Sequence, residues 1–310
     1  MDIQAGLLDR IAFSQRRRVW LGAFLLASVI SLPRFLAAQT ASANSGATLE
    51  TTSLLGRSLY ALPDDATVTA AHDKLAAHPK NAKLAVELSQ AQAGRRQYKE
   101  AVATCTRALA FAPGDASLYL ERGHRELGLR QFAAARKDLL RATELAPKNL
   151  DGFYHLGLAH YFMGEFREAA TAFDSARALA NSDDSLIDCS NWLYASLRRA
   201  GDEQRAAEVL TRITPVVKNT EPHLYFYLRL LHFYQGKLTE QEVLPPAPAK
   251  PDDVEAELSF DTVSYGVGNW HLYHHEAPQA VGLFEKVVKG EAWNAWGFIG
   301  SEVELARRRK

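Results

Sequence analysis

Apolar and polar positions follow helical spacing along most of the chain. In Gly164 to Leu179, small or apolar residues fall at Ala169, Ala170, Ala172, Phe173, Ala176 and Leu179, with charges on the remaining face. That is the spacing of a helix that buries one side. Pro79, Pro113 and Pro147 stand 34 residues apart, and each closes a helical pattern. The unit is therefore two helices and a turn, repeated. One unit carries Leu88, Ser89, Ala101, Cys105 and Pro113; the next carries Tyr119, Arg122, Gly123, Glu126, Ala135, Leu139 and Pro147. The third reads Phe153, Leu156, Gly157, His160, Ala169, Phe173 and Asn181. A fourth has Leu193, Tyr194, Leu197, Ala206 and Leu210. A fifth starts with Tyr225, Leu228 and His232 but dissolves into prolines at 245–251, which cannot be helix interior. The pattern recovers in a sixth with Val267, Gly268, His271, Ala280 and Phe284. A last helix, roughly Trp293 to Arg307, is expected to cover the open end of the stack.

A period of 34 with aromatic, Leu-Gly, Ala-x3-Phe and Pro slots resembles the tetratricopeptide-repeat (TPR) family, over about Ala82 to Val288. One hairpin cannot shelter its apolar face alone, so at least three must stack. The fold expected is all-α, a tetratricopeptide-repeat right-handed superhelical solenoid of helical hairpins with a C-terminal capping helix. Its units lie near 82–115, 116–149, 150–183, 187–220, 222–251 and 261–292, with the cap at 293–307. The stretches Trp192 to Leu210, Phe233 to Leu244 and Tyr265 to Val288 are similar to exported bacterial repeat proteins, distantly NlpI-like. That resemblance implies an envelope scaffold that docks other proteins and forms dimers, although the cysteine of a lipid-attachment site is missing.

Ahead of the repeats, Arg16, Arg17 and Arg18 precede an apolar run of 14 residues, Val19 to Leu32, closed by Pro33 and Arg34. A spanning helix needs about 20, so 1–43 is expected to be a signal peptide cut near Ala38 or Ala43, with a membrane anchor as the alternative. The protein would then be exported, to the periplasm or cell envelope, meeting membrane only through this segment if it is uncleaved. The Ser/Thr/Ala/Gly-rich stretch 44–65 reads as a flexible lead-in, and 66–310 as the solenoid, opened by a weak helical segment near Ala66 to His78. The 310 residues carry no net formal charge. Beyond residue 43 there are 31 basic and 34 acidic residues, a balance that does not favour nucleic acid as a partner.

In the resembling family, the first helix of each hairpin lines a concave face on which ligands lie. Carried onto this chain, the slots are Tyr154, Leu158 and Tyr161, then Asn191, Ala195 and Arg198, then Phe226, Leu230 and Phe233, then Tyr265, Asn269 and Leu272. Aromatic, amide and guanidinium groups on such a wall suit a peptide or protein segment. The slots that grip a terminal carboxylate in some family members hold Val86, Gln90, Leu120 and His124 instead, against that mode.

His271 and His275 are four apart, the remote basis for a metal-dependent enzyme, yet the pattern is not H-E-x-x-H. The acidic pairs 64/65, 183/184 and 252/253 fall in expected loops, and no serine elbow or phosphate loop occurs. The reading is therefore a non-enzymatic interaction scaffold, with no cofactor, metal or small-molecule substrate. Its partner is a protein or peptide, and self-association into a homodimer, through the fifth unit or Trp293 and Trp296, is the alternative. Cys105 and Cys189 sit three units apart, too far for a disulfide.

Overall fold

The computed structural model describes residues 47–213, 222–250 and 253–309. Among them are two strands, β1 (Thr48–Thr52) and β2 (Ser58–Ala61), and fourteen helices. After α1 (Ala66–Ala77) come the hairpins α2 (Ala82–Gly94) with α3 (Tyr98–Leu109), α4 (Ala116–Gly128) with α5 (Phe132–Leu145), and α6 (Leu150–Met163) with α7 (Phe166–Ala178). Next are α8 (Asp183–Ala200) with α9 (Glu203–Thr211), α10 (Pro222–Tyr234) with the one-turn α11 (Glu240–Val243), α12 (Val254–Tyr273) with α13 (Ala277–Val287), and finally α14 (Trp296–Arg308). The molecule is a helical solenoid of tetratricopeptide type.

Local chemistry sets these boundaries. Asn81, Asp115 and Asn149 cap the first helices of three successive hairpins, each side chain accepting from a backbone N–H of the first turn. Inside each hairpin the turn passes through one left-handed residue: Arg96, Arg130, Gly164, Gly201, Gly236 and His275 in order. Glycine takes that conformation without steric cost. The two arginines and the histidine do not, and the side chains of the arginines turn out to have work elsewhere.

Within a hairpin, a small residue on the first helix receives a large one from the second. A Cβ added to Gly157 would meet three ring atoms of Phe173 at 2.8 Å, and Gly268 stands in the same relation to Phe284, as does Gly123 to Leu139. Phe173 and Phe284 are fully buried as a result. The stretch Gly164 to Leu179 thus serves packing, as its pattern predicts.

Four expectations need correction. The part of the lead-in that is described, 47–65, holds an antiparallel hairpin with Leu49 opposite Tyr60. Its inner side buries Leu59 with Tyr98, Trp293 and Phe298, so long-range packing, rather than local composition, orders it. The fifth unit has only α11 in place of a second helix, and α12 begins at Val254, seven residues before the expected unit. Asp183 and Asp184 belong to the first turn of α8, where they favour the helix dipole. Residues 1–46, 214–221, 251–252 and 310 lie outside the described residues, and with them the signal segment, the end of the fourth unit and Asp252.

The fourth correction concerns α14. It does not merely close the end of the stack. Trp296 packs against His124 of α4 and His155 of α6, and Trp293 meets Tyr98 of α3 edge-on at 5.4 Å. The C-terminal helix therefore crosses to the early hairpins and fills the space that their first helices enclose.

Candidate functional site

The predicted wall residues do converge on the inner side, but they are covered. Tyr154, Leu158, Tyr161, Asn191, Ala195, Leu230, Phe233, Tyr265 and Asn269 are all buried, and only Arg198, Phe226 and Leu272 keep partial exposure. The open groove is thus corrected to a filled one. Its rings pack on each other: Tyr161 lies edge-on to Trp192 at 5.2 Å, and Tyr194 stacks on Tyr234 at 4.5 Å. Burial pushes the phenols of Tyr161, Tyr234 and Tyr265 upward, so they remain neutral.

Charged groups weld α14 into place. Glu304 accepts from Arg199 of α8 at 2.9 Å and from Arg307 at 2.6 Å. Arg199 also donates to Asn269 of α12 at 3.0 Å, whose amide donates to the Tyr161 hydroxyl at 2.8 Å. Burial works against the charge of Arg199, but Glu304 more than offsets it. Burial likewise opposes the Glu304 carboxylate, which Arg199 and Arg307 nevertheless hold below the usual range. A second knot joins three elements. Glu302 accepts from Arg130 Nε at 2.8 Å and from the backbone N–H of Leu54 at 2.9 Å. Arg130 also donates to the Trp293 carbonyl at 2.9 Å, and Arg96 to the Glu291 carbonyl at 3.0 Å. The two left-handed arginines of the early turns are therefore the ones that grip the segment leading into α14.

Among the described residues a narrow cleft lies between α8, α10, α12 and α14. Asn191, Trp192, Tyr227, Tyr234, Thr262 and Tyr265 line it, and its enclosed part, about 10 Å³, has room for about one water molecule. Asn191 Oδ1 and Trp192 Nε1 are buried there without a hydrogen-bond partner. Leaving such a group unpaired costs about 1–3 kcal/mol, so this is where the core is incomplete. Beside Thr262, burial and then the nearby Glu257 push the Asp261 carboxyl up to about 9, and both its oxygens lack partners. Asp261 is thus a neutral acid at pH 7.

The histidine motif has a different use. His271 Nδ1 lies 2.6 Å from Glu276 and its Nε2 lies 3.0 Å from Glu240. His160 and Glu165 repeat the first contact, also at 2.6 Å and five residues apart. In two hairpins this pair ties the first helix to the start of the second. His275 occupies the left-handed turn position. Among the described residues no group of three or more His, Cys, Asp or Glu is placed to hold a metal ion, and no helix is long and apolar enough to cross a membrane. Cys105 and Cys189 are free and buried, and burial raises the first thiol to about 12 and the second well above its ordinary value, so neither is a ready nucleophile.

Sequence reasoning missed Trp192, Arg130, Glu302 and Glu304. A signal for α14 was present: Trp296, Ile299, Gly300 and Val303 reproduce the spacing of Phe153, Leu156, Gly157 and His160, marking a seventh first-helix. No such signal announced the ion pairs, whose partners lie more than 100 residues apart.

No protein-family model and no curated protein matches the chain. Among solved structures it is similar to a tetratricopeptide repeat protein from Parabacteroides merdae, at 18% identity and a TM-score of 0.48, covering 77% of this chain and 90% of that one. It is also similar to YrrB, described as a TPR protein with an unusual peptide-binding site, at 14% identity and a TM-score of 0.43, covering 72% and 92%. A crystal structure of MamA overlaps 47% of this chain and 84% of its own, at 20% identity and a TM-score of 0.43. The fold assignment rests on the hairpins described above.

Proposed function

We propose that the protein is a non-enzymatic scaffold that binds a segment of a partner protein at the cleft between α8, α10 and α12. The observation that carries this reading is the cleft itself, with its aromatic and amide lining on a wall otherwise filled by α14. A preformed pocket lowers the ordering cost of the bound segment. Arg16–Arg18 followed by the apolar run Val19–Leu32 support reading this role as one in the cell envelope of an exported protein. A photoreactive residue at Thr262, half-buried in the cleft, tests the reading beside one at Leu140, exposed on α5. Adducts to one partner protein from Thr262 alone support it; equal labelling from both positions, or none, would sink it.

Self-association is the second reading. The fifth unit lacks a full second helix, and Tyr225 of α10 is 48% exposed. Trp293 and Trp296 are buried within the chain and offer no surface to a second copy. A Tyr225→Glu variant that sediments as wild type at every concentration would remove this reading.

A further inference from the structure

The fifth hairpin is closed by a single helical turn, α11, where the others have a second helix of 9 to 14 residues. One turn cannot hold itself in water, so α11 depends on what ties it down. Val243 is buried in the apolar cluster of Tyr227, Leu230 and Leu231 of α10. Arg229 of α10 donates to the Glu242 carbonyl, and Glu240 reaches His271 of α12. The last tie has a special requirement, because His271 meets a carboxylate at each ring nitrogen: Glu276 at 2.6 Å from Nδ1 and Glu240 at 3.0 Å from Nε2. A neutral imidazole has one N–H and one lone pair, and an ionised carboxylate only accepts. Both contacts are therefore hydrogen bonds only when each ring nitrogen carries a proton. The extra proton does not belong on a glutamate, since the two side chains are 42% and 43% exposed and water favours the ionised carboxyl. His160, in the same slot of the third hairpin, has one carboxylate, Glu165, which also takes Arg136. Other charged groups of the surrounding elements turn elsewhere: His274 to the Trp270 carbonyl, Glu242 to Thr239, Arg198 to Glu203, while Lys237 lies near His232.

We propose that α11 is a proton-held latch: the His271 imidazolium, gripped by Glu276, holds Glu240 and keeps α11 over the apolar face of α10, and loss of one ring proton releases it. With a neutral ring, Nδ1–H stays on Glu276 and Nε2 turns a lone pair toward the Glu240 carboxylate, so attraction gives way to repulsion. The tie is thus whole at low pH and lost as pH rises. Release uncovers Tyr227, Leu230 and Leu231, which makes the latch a gate on the fifth unit, the region of the self-association reading. It stands apart from the cleft and does not depend on a partner there.

Hydrogen exchange of the full chain at about pH 6 and about pH 9, corrected for intrinsic rates, tests the latch across the range in which imidazole titrates. The amides of Glu242, Val243 and Leu244 have their acceptors inside the same turn, so their protection reports whether α11 is docked. It is measured relative to α6, because general unfolding lowers both alike. Wild-type α11 is expected to lose protection at least about tenfold relative to α6 at the higher pH. In Glu240→Gln the side chain accepts from a protonated Nε2 or donates to a neutral one, so the loss disappears. Ring 15N spectra give an independent reading: at about pH 7, the histidine whose signals move in Glu240→Gln is expected to carry protons on both nitrogens. A wild-type α11 that keeps its protection relative to α6, an equal loss in Glu240→Gln, or a His271 ring with a single proton overturns the proposal.

Discussion

The third hairpin and the C-terminal closure are both buried, but different forces hold them. In α6 and α7 the decisive contact is local: Gly157 yields space to a fully buried Phe173, 16 residues on. In α14 the decisive contacts are remote and charged, Glu302 to Arg130 and Glu304 to Arg199. A repeat solves its packing once and copies it, because each unit meets only its neighbours. A helix that crosses back to the start of the stack meets surfaces its own period never prepared. It needs individually paired groups, since a charge left buried alone is expensive.

That contrast can be broken from either side. Phe173→Ala removes the ring that fills the hairpin and should lower unfolding free energy by about 3–5 kcal/mol, measured in urea; a loss under about 1 kcal/mol would contradict the local account. Glu302→Ala strands Arg130 and should cost about 3–5 kcal/mol. The double change Arg130→Met/Glu302→Leu should recover most of that, whereas an equal loss in the double variant would show that the charge itself was not the problem. Gly157→Ala pushes a methyl into the Phe173 ring and should cost about 1–3 kcal/mol by thermal unfolding.

The finest distinction lies in pH, on the C-terminal side. Asp261 has its pKa raised to about 9 by burial and by Glu257, so the folded chain keeps a proton that the unfolded chain releases near pH 4. This group leaves stability intact below that point and erodes it as pH climbs toward 9, by at most about 1.4 kcal/mol per pH unit. Glu126, raised to about 7 by burial and then by Asp138, acts in the same sense over a shorter interval. Asp261→Asn should flatten most of the decline between pH 5 and 8; an unchanged profile would mean that Asp261 ionises freely in the folded chain.

Much of this was legible beforehand. The prolines at 113 and 147, the Ala-x3-Phe slots and the glycines marked the hairpins, because each encodes a contact inside one unit or with the next. Most of the residues expected to line a wall on α6, α8, α10 and α12 are buried, in two separate clusters. Their exposure was not legible. Tyr161 reads the same whether it faces a guest peptide or Asn269 and the filled core of its own chain. The β-hairpin escaped notice because Thr48–Ala61 has the composition of a mobile segment, and only Tyr98, Trp293 and Phe298 give its inner face something to cover. Trp192, which supplies the unpaired donor of the cleft, looked like one more aromatic of a helix interior.

The sequence by itself determined the period, the hairpins and the side of each first helix that turns inward, since these follow from contacts between residues a few turns apart. Only the tertiary structure decided that the inner wall is occupied, that two left-handed arginines hold its occupant, and that a narrow cleft opens between α8 and α12. The reason is distance along the chain: a pairing such as Arg130 with Glu302 spans 172 residues, and spacing rules carry no information about which surfaces meet once the stack curves back on itself.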